Sequence, residues 1–264
     1  AGQAARATAR IALMERLGRG IVHRADLPDR EKALVRDWLR RGWVAAVAPA
    51  ALMAGAGRVV AGPELTGEQA RALDALGSAP PGFAAWLLHG VTGSGKTEIY
   101  LRLVADVLAR ERQALVLVPE IHLTPQLMER FVRRFPGYKL IGLHSGLADG
   151  ERRAAWLDAL EGRADIVLGT RLAVFTPLPR LGLIVVDEEH DGAYKQMEGM
   201  RYSARDVAVW RGRQRDVPVV LGSATPALES WRNARAGRYR LLSLTRRANE
   251  KAALPAVRLV DSRT

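Results

Sequence analysis

A glycine-rich segment at residues 90–97 has the residue types and the spacing that bind nucleotide phosphates. It reads G-x-x-x-x-G-K-T, with an apolar run at 83–88 before it and a helical pattern at 97–110 after it. Glycines let backbone N–H groups close around phosphate oxygens, and the N-terminus of the following helix adds partial positive charge. This strand, loop and helix context favours a phosphate site over a chance glycine-rich turn. The residues predicted to bind the nucleotide here are Gly90, Thr92, Gly93, Ser94, Gly95, Lys96 and Thr97.

Within that loop, two side chains have specific chemical roles. Lys96 is expected to reach the β- and γ-phosphates, and Thr97 is expected to hold Mg²⁺. The chain carries 40 Lys and Arg residues, nearly all of them Arg, and still has Lys at position 96. A compact ammonium suits a phosphate loop better than a planar guanidinium does.

A second candidate segment follows the apolar run 183–186, which ends in Asp187, Glu188, Glu189 and His190. Asp187 is placed to hold Mg²⁺, usually through water, and Glu188 to orient or deprotonate an attacking water. An acidic turn after a strand is common by itself. Joined to a phosphate loop in one α/β domain, it predicts a phosphate-cleaving site whose catalytic residues are Lys96, Asp187 and Glu188.

Composition limits the class of protein. The chain has 264 residues, of which 48% are hydrophobic, and this is enough for one large α/β domain and a small one. A net charge of +12 indicates a polyanionic partner such as nucleic acid, although an arginine-rich composition can also produce it. The absence of cysteine excludes disulfides and thiolate metal sites, including zinc, in this segment. No apolar run approaches the roughly 18 residues that span a bilayer, and no signal-peptide pattern is present at the start.

Apolar periodicity predicts two units. Residues 1–48 form a small winged-helix-like module, with helices at 4–17 and 29–41 and a short strand at 43–47; DNA contact and a packing role are equally open for it. Residues 49–64, rich in Ala, Gly and Pro, indicate a linker. Residues 65–250 alternate strands and helices, which predicts an α/β fold with a doubly wound, mainly parallel sheet. The predicted strands are 86–88, 114–118, 140–143, 165–168, 183–186, 219–221 and 240–243.

The acidic tetrad, together with the later Gly222-Ser223-Ala224-Thr225 segment, resembles superfamily 2 helicases and translocases of the DEAH-like type. The resemblance implies a RecA-like motor lobe. It also implies that His190, Ser223 and Thr225 couple nucleotide hydrolysis to movement of two lobes. Taken alone, His190 could be a surface or capping histidine, and residues 222–225 could be a plain turn before a helix.

Three further segments match this family in order. Residues 65–69 resemble its Q motif, in which Gln69 would read the adenine edge. Residues 118–126 and 169–171 correspond to its motifs Ia and Ib, so Thr124, Thr170 and Arg171 are expected to contact nucleic-acid phosphates. A lone Gln on a helix normally faces solvent, so the role of Gln69 comes from the resemblance. Each of the other two segments by itself is equally well explained as an ordinary strand-to-helix loop.

The resemblance narrows to the bacterial primosomal replication-restart helicases, over about residues 65–250. Its most particular stretch is 191–206, where that family has an aromatic-rich loop that senses single-stranded DNA. Aromatic rings interleaved with cations can stack bases and neutralise phosphates. The residues expected to do so here are Tyr194, Lys195, Arg201, Tyr202 and Arg205. The alternative is a surface loop with two buried tyrosines, and Met200, where the family usually has Trp, is a departure from its pattern.

This resemblance implies an ATP-dependent 3′-to-5′ DNA helicase of replication restart that uses ATP and Mg²⁺ in the bacterial cytoplasm. It would bind forked and single-stranded DNA, primosome proteins and single-strand-binding protein, without a membrane. The chain lacks a starting Met, and we expect it to be a piece of a longer protein. Residues 251–264 would lead to a second lobe, the family zinc site would lie outside this segment, and residues 1–264 alone would hydrolyse ATP barely, if at all. The alternatives are another superfamily 2 DNA or RNA translocase, or a nucleic-acid-binding scaffold with a weak ATPase.

Overall fold

A computed structural model describes residues 13–14, 27–41 and 57–248, which belong to two compact units, 1–54 and 55–264. In the first unit, helix α1 (Asp29–Arg40) begins after Pro28 and has Asp29 and Glu31 in its first turn. Carboxylates there stabilise the positive end of the helix dipole. Among the residues described in this unit, Leu13, Leu27 and Trp38 form a buried apolar cluster. The predicted helix at 29–41 is thus present, whereas most of the predicted helix at 4–17 and the strand at 43–47 lie outside the described residues.

The second unit is built on a seven-stranded sheet. Its strands, in chain order, are β1 (Ala85–Gly90), β2 (Gln113–Leu117), β3 (Leu140–Leu143), β4 (Ile166–Gly169), β5 (Leu181–Val186), β8 (Val219–Ser223) and β9 (Arg240–Leu244). The numbers β6 (Lys195–Gln196) and β7 (Tyr202–Ser203) belong to a separate antiparallel hairpin. All seven predicted strands are confirmed, and no end differs from the prediction by more than two residues.

Helices lie between most of these strands. They are α2 (Gly67–Gly77), α3 (Lys96–Ala109), α4 (Pro125–Arg134), α5 (Asp149–Leu160), α6 (Ala204–Arg215) and α7 (Leu228–Arg235). Short 3₁₀ turns follow three of the strands, at Glu120–His122, Arg171–Phe175 and Gly192–Tyr194.

The sheet has the strand order β3-β4-β2-β5-β8-β1-β9, and every neighbouring pair is parallel. The central strands β2, β4, β5 and β8 are buried along their whole length because helices cover both faces of the sheet, whereas the edge strands β3 and β9 are partly exposed. Leu115 and Ile184 lie in the core on one face, and Val116 and Val185 lie in the core on the other. The predicted α/β, doubly wound parallel fold is therefore confirmed.

Residues 57–64 run along the second unit. The backbone N–H of Arg58 donates to the carbonyl of Pro136, and that of Val60 donates to the carbonyl of Arg134. The second half of the predicted linker at 49–64 is therefore held against this unit, and residues 49–56 lie outside the described part of the chain.

The strand order decides where the predicted motifs meet. Strands β5, β8 and β1 are consecutive neighbours. The phosphate loop follows β1, the acidic tetrad follows β5, and residues 222–225 begin at the end of β8. Because the strands are parallel, all three segments leave the sheet at the same edge, where ligands of open α/β sheets bind.

Candidate nucleotide-hydrolysis site

The phosphate loop has the backbone that its glycines permit. Gly93 and Gly95 have φ values of 81° and 83°, in the left-handed region that side chains rarely adopt. Gly95 is the residue before helix α3, and a Cβ built there would lie 2.1 Å from Nε2 of Gln69. A larger residue at position 95 would therefore displace the Gln69 side chain from its contact with the loop, in addition to the strain of its positive φ.

Lys96 is held inside this loop. Its side chain is almost fully buried, and Nζ donates to the carbonyl of Gly90 at 2.9 Å. Nζ also lies 3.7 Å from Oε1 of Glu188. The ammonium therefore lies between the loop and the acidic turn, and one predicted catalytic cation faces one predicted catalytic acid.

The carboxyl group of Asp187 is buried beside Tyr100. The Tyr100 hydroxyl donates to Oδ1 of Asp187 at 2.9 Å. Burial raises the pKa of Asp187 above its usual value, although this hydrogen bond works in the opposite direction. Burial, with Asp187 beside it, raises the pKa of Tyr100 well above its ordinary value, so its hydroxyl stays a donor.

Glu188 has an uncommon backbone conformation. Its φ is 45°, which a residue with a side chain adopts at a cost of the order of 1 kcal/mol or more. The turn that carries Glu188 is fixed on both sides, because the N–H of Asp187 donates to Leu117 and that of Glu189 donates to Gly222. The surrounding strands thus hold Glu188 in the conformation that aims it at Lys96.

These residues line a cavity of about 680 Å³, within the range of small-molecule sites. It is bounded by residues 92–98 and by Asp187 and Glu188. Among the described residues, the buried Oγ of Ser94 has no hydrogen-bond partner. A glycine cradle, an ammonium, a threonine at the helix start and a carboxylate are the groups that bind a nucleotide triphosphate and Mg²⁺, so the residues present fit ATP and its metal.

Gln69 connects helix α2 to this loop. Its Oε1 accepts from the N–H of Thr66, its N–H donates to Thr66 Oγ1, and its Nε2 donates to the carbonyl of Ser94 at 2.9 Å. The first two bonds form a capping box at the start of α2. Gln69 lines the cavity, but it is only 3% exposed. One Nε2 hydrogen is left for a ligand, and adenine recognition by Gln69 stays a prediction.

The predicted coupling residues are brought together. Nδ1 of His190 lies 2.8 Å from Oγ of Ser223, and the N–H of Thr225 donates to the same oxygen at 3.0 Å. Nδ1 of His190 also lies 3.6 Å from Oε2 of Glu188. A chain of contacts thus runs from the acidic turn to the end of β8.

The prediction that Tyr194 stacks on a nucleobase is wrong for this conformation. Tyr194 is 1% exposed, and its hydroxyl donates to the carbonyl of Asp187 at 2.6 Å. Its ring packs in the core next to the sheet, and burial raises the pKa of its hydroxyl well above the ordinary value. An aromatic-and-cation pattern indicates stacking only when the rings reach solvent, and sequence does not reveal this.

Residues 195–203 form a hairpin that was not predicted from sequence. Lys195 pairs with Ser203, and Gln196 pairs with Tyr202. Lys195, Arg201 and Met200 are exposed, and Met200 has an exposure of 72%. Tyr202 is partly buried, with its ring edge-on to Phe175 at 5.0 Å. The cations are therefore available to a phosphate backbone, and stacking by Tyr202 stays a prediction.

Two of the three other predicted nucleic-acid residues are engaged within the protein. Thr124 caps helix α4, since its Oγ1 accepts from the N–H of Leu127. Nη1 of Arg171 donates to the carbonyl of Lys195 at 2.9 Å, which joins the end of β4 to the hairpin. Thr170 is buried, with 8% exposure. Thr170 and Arg171 line a second cavity, of about 460 Å³, and the nucleic-acid contacts of all three residues remain predictions.

The prediction that Arg205 neutralises nucleic-acid phosphates is wrong for this conformation, because Arg205 is 6% exposed. Two polar residues near the site, Tyr100 and Glu189, had no predicted role. Tyr100 binds Asp187, and Glu189 and Arg205 form a buried ion pair at 3.3 Å. Tyr100 lies on the apolar face of α3, where a tyrosine is expected to be core. The position of Glu189 directly after two predicted catalytic acids is the signal in the sequence that points to it.

The fold and the site together define a class of protein. A parallel sheet with a phosphate loop after β1, an acid pair after β5 and a Ser-Ala-Thr turn after β8 is a helicase motor lobe. The DEAD/DEAH box helicase family matches residues 66–234, from the cap of α2 into α7. The chain belongs to this family.

Within it, the chain is similar to replication restart proteins named PriA. It is 51% identical over 178 residues to replication restart protein PriA of Bacillus subtilis (strain 168), which covers 67% of this chain and 22% of that protein. It is 50% identical over 173 residues to the PriA of Haemophilus influenzae, which covers 66% of this chain and 24% of the relative. The chain thus spans less than a quarter of the length of these two relatives.

Solved structures support the same fold. The structure of RecG bound to a three-way DNA junction superimposes with a TM-score of 0.53 and 23% identity, over 73% of this chain and 25% of that one. At this identity the likeness establishes the fold alone. Among the described residues, no helix is both long and apolar enough to cross a membrane.

Proposed function

We propose that this chain is the first motor lobe of an ATP-dependent DNA helicase that acts in replication restart and moves 3′ to 5′. The observation that carries the proposal is the convergence of Lys96, Asp187 and Glu188 on one cavity, with Tyr194 of the following loop bonded to Asp187. This arrangement connects a phosphate-cleaving site to an exposed, basic hairpin. The similarity to PriA supports the biological context.

The residues of the site divide the chemistry between them. Lys96 would stabilise negative charge on the β- and γ-phosphates, and Thr97 and Asp187 would hold Mg²⁺, which neutralises charge on the transferring group. Glu188 would orient the attacking water and accept its proton. His190, Ser223 and Thr225 would transmit the state of Glu188 to the rest of the lobe through the contacts described above.

The surface beside the hairpin supports nucleic acid as the partner. Lys195 and Arg201 of the hairpin are exposed, and the chain carries a net charge of +12. We propose forked and single-stranded DNA as the polymer, and primosome proteins and single-strand-binding protein as protein partners, in the bacterial cytoplasm. Residues 65–250 would form the motor lobe, 1–48 the winged-helix-like module, 49–64 their linker, and 251–264 the connection to a second lobe.

The test is strand separation by the full-length protein on labelled partial duplexes. Substrates with a 3′ single-stranded tail, a 5′ tail, a fork or a blunt end are compared in the presence of ATP and Mg²⁺. We expect unwinding of the 3′-tailed and forked substrates and none of the blunt one. Unwinding of 5′-tailed DNA alone would contradict the direction of movement, and binding to DNA without ATP hydrolysis would favour a scaffold.

A matched RNA experiment separates the remaining alternative. The same partial duplexes made of RNA should neither be unwound nor accelerate ATP hydrolysis. RNA that stimulates hydrolysis as well as DNA does would indicate an RNA translocase instead.

A further inference from the structure

The side chain of Glu189 is the most completely buried carboxylate near the site. It has no exposed surface, and three groups from outside its own turn surround it. Oε1 accepts from the N–H of Ala227 at 2.8 Å, and Oε2 accepts from the hydroxyl of Ser230 at 2.7 Å. Nη1 of Arg205 lies 3.3 Å from Oε2. A buried carboxylate is tolerated only when it is paired and hydrogen-bonded, and Glu189 meets that requirement through three separate contacts.

These partners belong to two different helices. Ala227 is the N-cap residue of helix α7 and has no capping side chain. Ser230 lies in the first turn of the same helix, so the carboxylate of Glu189 supplies the acceptor and the negative charge that a helix start requires. Helix α7 begins three residues after Thr225. The acidic turn therefore fixes the helix that follows the coupling segment 223–225.

Arg205 reaches Glu189 from the other side. It is the second residue of helix α6, which begins directly after strand β7 of the hairpin, and it is 6% exposed. Its Nε also bonds Asp206 at 2.9 Å, and its Nη1 lies 3.8 Å from Glu229. A displacement of the hairpin would move the start of α6 and hence the guanidinium that faces Glu189.

Glu189 is also fixed relative to the catalytic acids. Its N–H donates to the carbonyl of Gly222 at 3.0 Å. On one side it follows Glu188, whose φ of 45° has to be maintained by its surroundings. On the other side it precedes His190, which contacts Ser223. One carboxylate thus joins the catalytic turn, the start of α7 and the start of α6.

We propose that Glu189, paired with Arg205, is a positioning residue that transmits the state of the hairpin to Glu188 and His190. When nucleic acid binds the hairpin, Arg205 shifts relative to Glu189. The turn that carries Asp187 and Glu188 then changes position, because Glu189 is part of it. Glu189 does not line the cavity that contains Lys96, Asp187 and Glu188. The inference rests on the proposed DNA-driven ATP hydrolysis and assigns a role to a residue that the site itself does not use.

The test compares ATP hydrolysis by full-length wild type and Glu189→Gln, with and without single-stranded DNA. Glutamine keeps the size but replaces one acceptor oxygen with an NH₂ group, which then faces a donor. We expect the ratio of DNA-stimulated to basal turnover to fall at least tenfold, while nucleotide affinity changes less than about twofold. Glu229→Gln, which removes the exposed carboxylate near the same arginine, is the matched control and should keep the wild-type ratio.

Arg205→Lys provides a second variant in case Glu189→Gln does not fold. Lysine keeps the charge but not the guanidinium geometry, and its stimulation ratio should fall while its basal turnover persists. An unchanged ratio in either folded variant, or an equal fall in basal and stimulated turnover, would show that the pair is only structural and would overturn the inference. Absence of DNA stimulation in the wild type would instead refute the proposed function itself, and the inference with it.

Discussion

The hydroxyl of Tyr194 donates to the backbone carbonyl of Asp187 at 2.6 Å, so the loop expected to sense DNA is bonded directly to the acid expected to hold the metal. Tyr194 sits in the 3₁₀ turn that leads into strand β6 of the hairpin. A single side chain therefore bridges the start of the hairpin and the turn that carries the catalytic acids. Tyr194 is only 1% exposed, so we expect any role of its side chain in coupling to act through this bond rather than through stacking on a base.

Tyr194→Phe should separate the effect of the hydrogen bond to Asp187 from the effect of the buried ring. It keeps the ring in the core and leaves the carbonyl of Asp187 without its donor, which costs about 1–3 kcal/mol for a buried group. We expect a lower free energy of unfolding in urea and weaker DNA stimulation of ATP hydrolysis, with DNA affinity nearly unchanged. Tyr202→Phe is the control, because its hydroxyl is buried without a hydrogen-bond partner among the described residues. Equal effects of the two substitutions would show that the bond to Asp187 is unimportant.

Glu188→Gln should retain ATP without cleaving it. The substitution removes the base for the attacking water, which is worth roughly 10²–10⁴ in rate, and leaves Lys96 and Asp187 in place. Asp187→Asn is the comparison, since it should weaken binding of the magnesium–nucleotide complex as well. Filter retention of labelled ATP and phosphate release, measured side by side, distinguish the two. If Glu188→Gln hydrolyses ATP at the wild-type rate, Glu188 is not the base that activates the attacking water.

The exposed residues of the hairpin should act on coupling more than on affinity. We expect Lys195→Ala to lower DNA stimulation of hydrolysis by more than it lowers DNA affinity, measured by fluorescence anisotropy at one fixed salt concentration. Met200→Trp adds a broad aromatic face at a position that is 72% exposed, and it should keep or raise stimulation. Stacking on one aromatic ring is worth about 1–3 kcal/mol. Full stimulation in Lys195→Ala would mean that the hairpin is a passive surface.

Asp158 gives the lobe a pH-dependent contribution to stability. Burial raises its pKa, but Lys139 and Arg163, each with a nitrogen at 2.6 Å, more than offset this and hold the pKa below its usual value. A lowered folded pKa stabilises the protein at pH values above the unfolded pKa of about 3.9, and this stability is lost as the pH falls through the folded value. Asp158→Asn should therefore lower the free energy of unfolding by about 1 kcal/mol at pH 7.

Urea titrations at pH 7, 5 and 3 check this dependence. The difference between wild type and Asp158→Asn should shrink at the lowest pH, which lies below the unfolded pKa of about 3.9, because the carboxyl then takes up a proton on unfolding. Asp149→Asn is the control, because that carboxylate is fully exposed although it lies 3.5 Å from Arg152. A difference for Asp158→Asn that stays constant with pH would show that the ion pairs are not its source.

Much of the fold and of the nucleotide site was predictable from sequence. Seven apolar runs separated by helical patterns specify a parallel sheet, and parallel strands bring their carboxyl ends to one edge, so the meeting of Lys96 with Glu188 followed from topology. His190 and Ser223 could be paired because the family motif orders them. These predictions depend on backbone periodicity and local motifs, which a single sequence contains.

Other features depend on tertiary packing and were not predictable. Tyr194 and Tyr202 have the same side chain in one loop, yet the first is buried under the sheet edge and the second packs edge-on to Phe175. The ion pair of Glu189 with Arg205 joins residues from segments whose relative position only the folded hairpin determines. Burial and side-chain direction, rather than residue type, decided each of these cases.

The measurement that tests the central claim most directly is ATP hydrolysis by the full-length protein with and without single-stranded DNA, for wild type and Lys96→Ala. We predict that DNA accelerates wild-type hydrolysis severalfold or more. Loss of the Lys96 charge should reduce turnover on the order of a hundredfold or more, while DNA affinity persists because the hairpin is separate from the phosphate loop. Near-normal, DNA-stimulated turnover by Lys96→Ala would contradict the assignment of this loop as the phosphate site and, with it, the whole account.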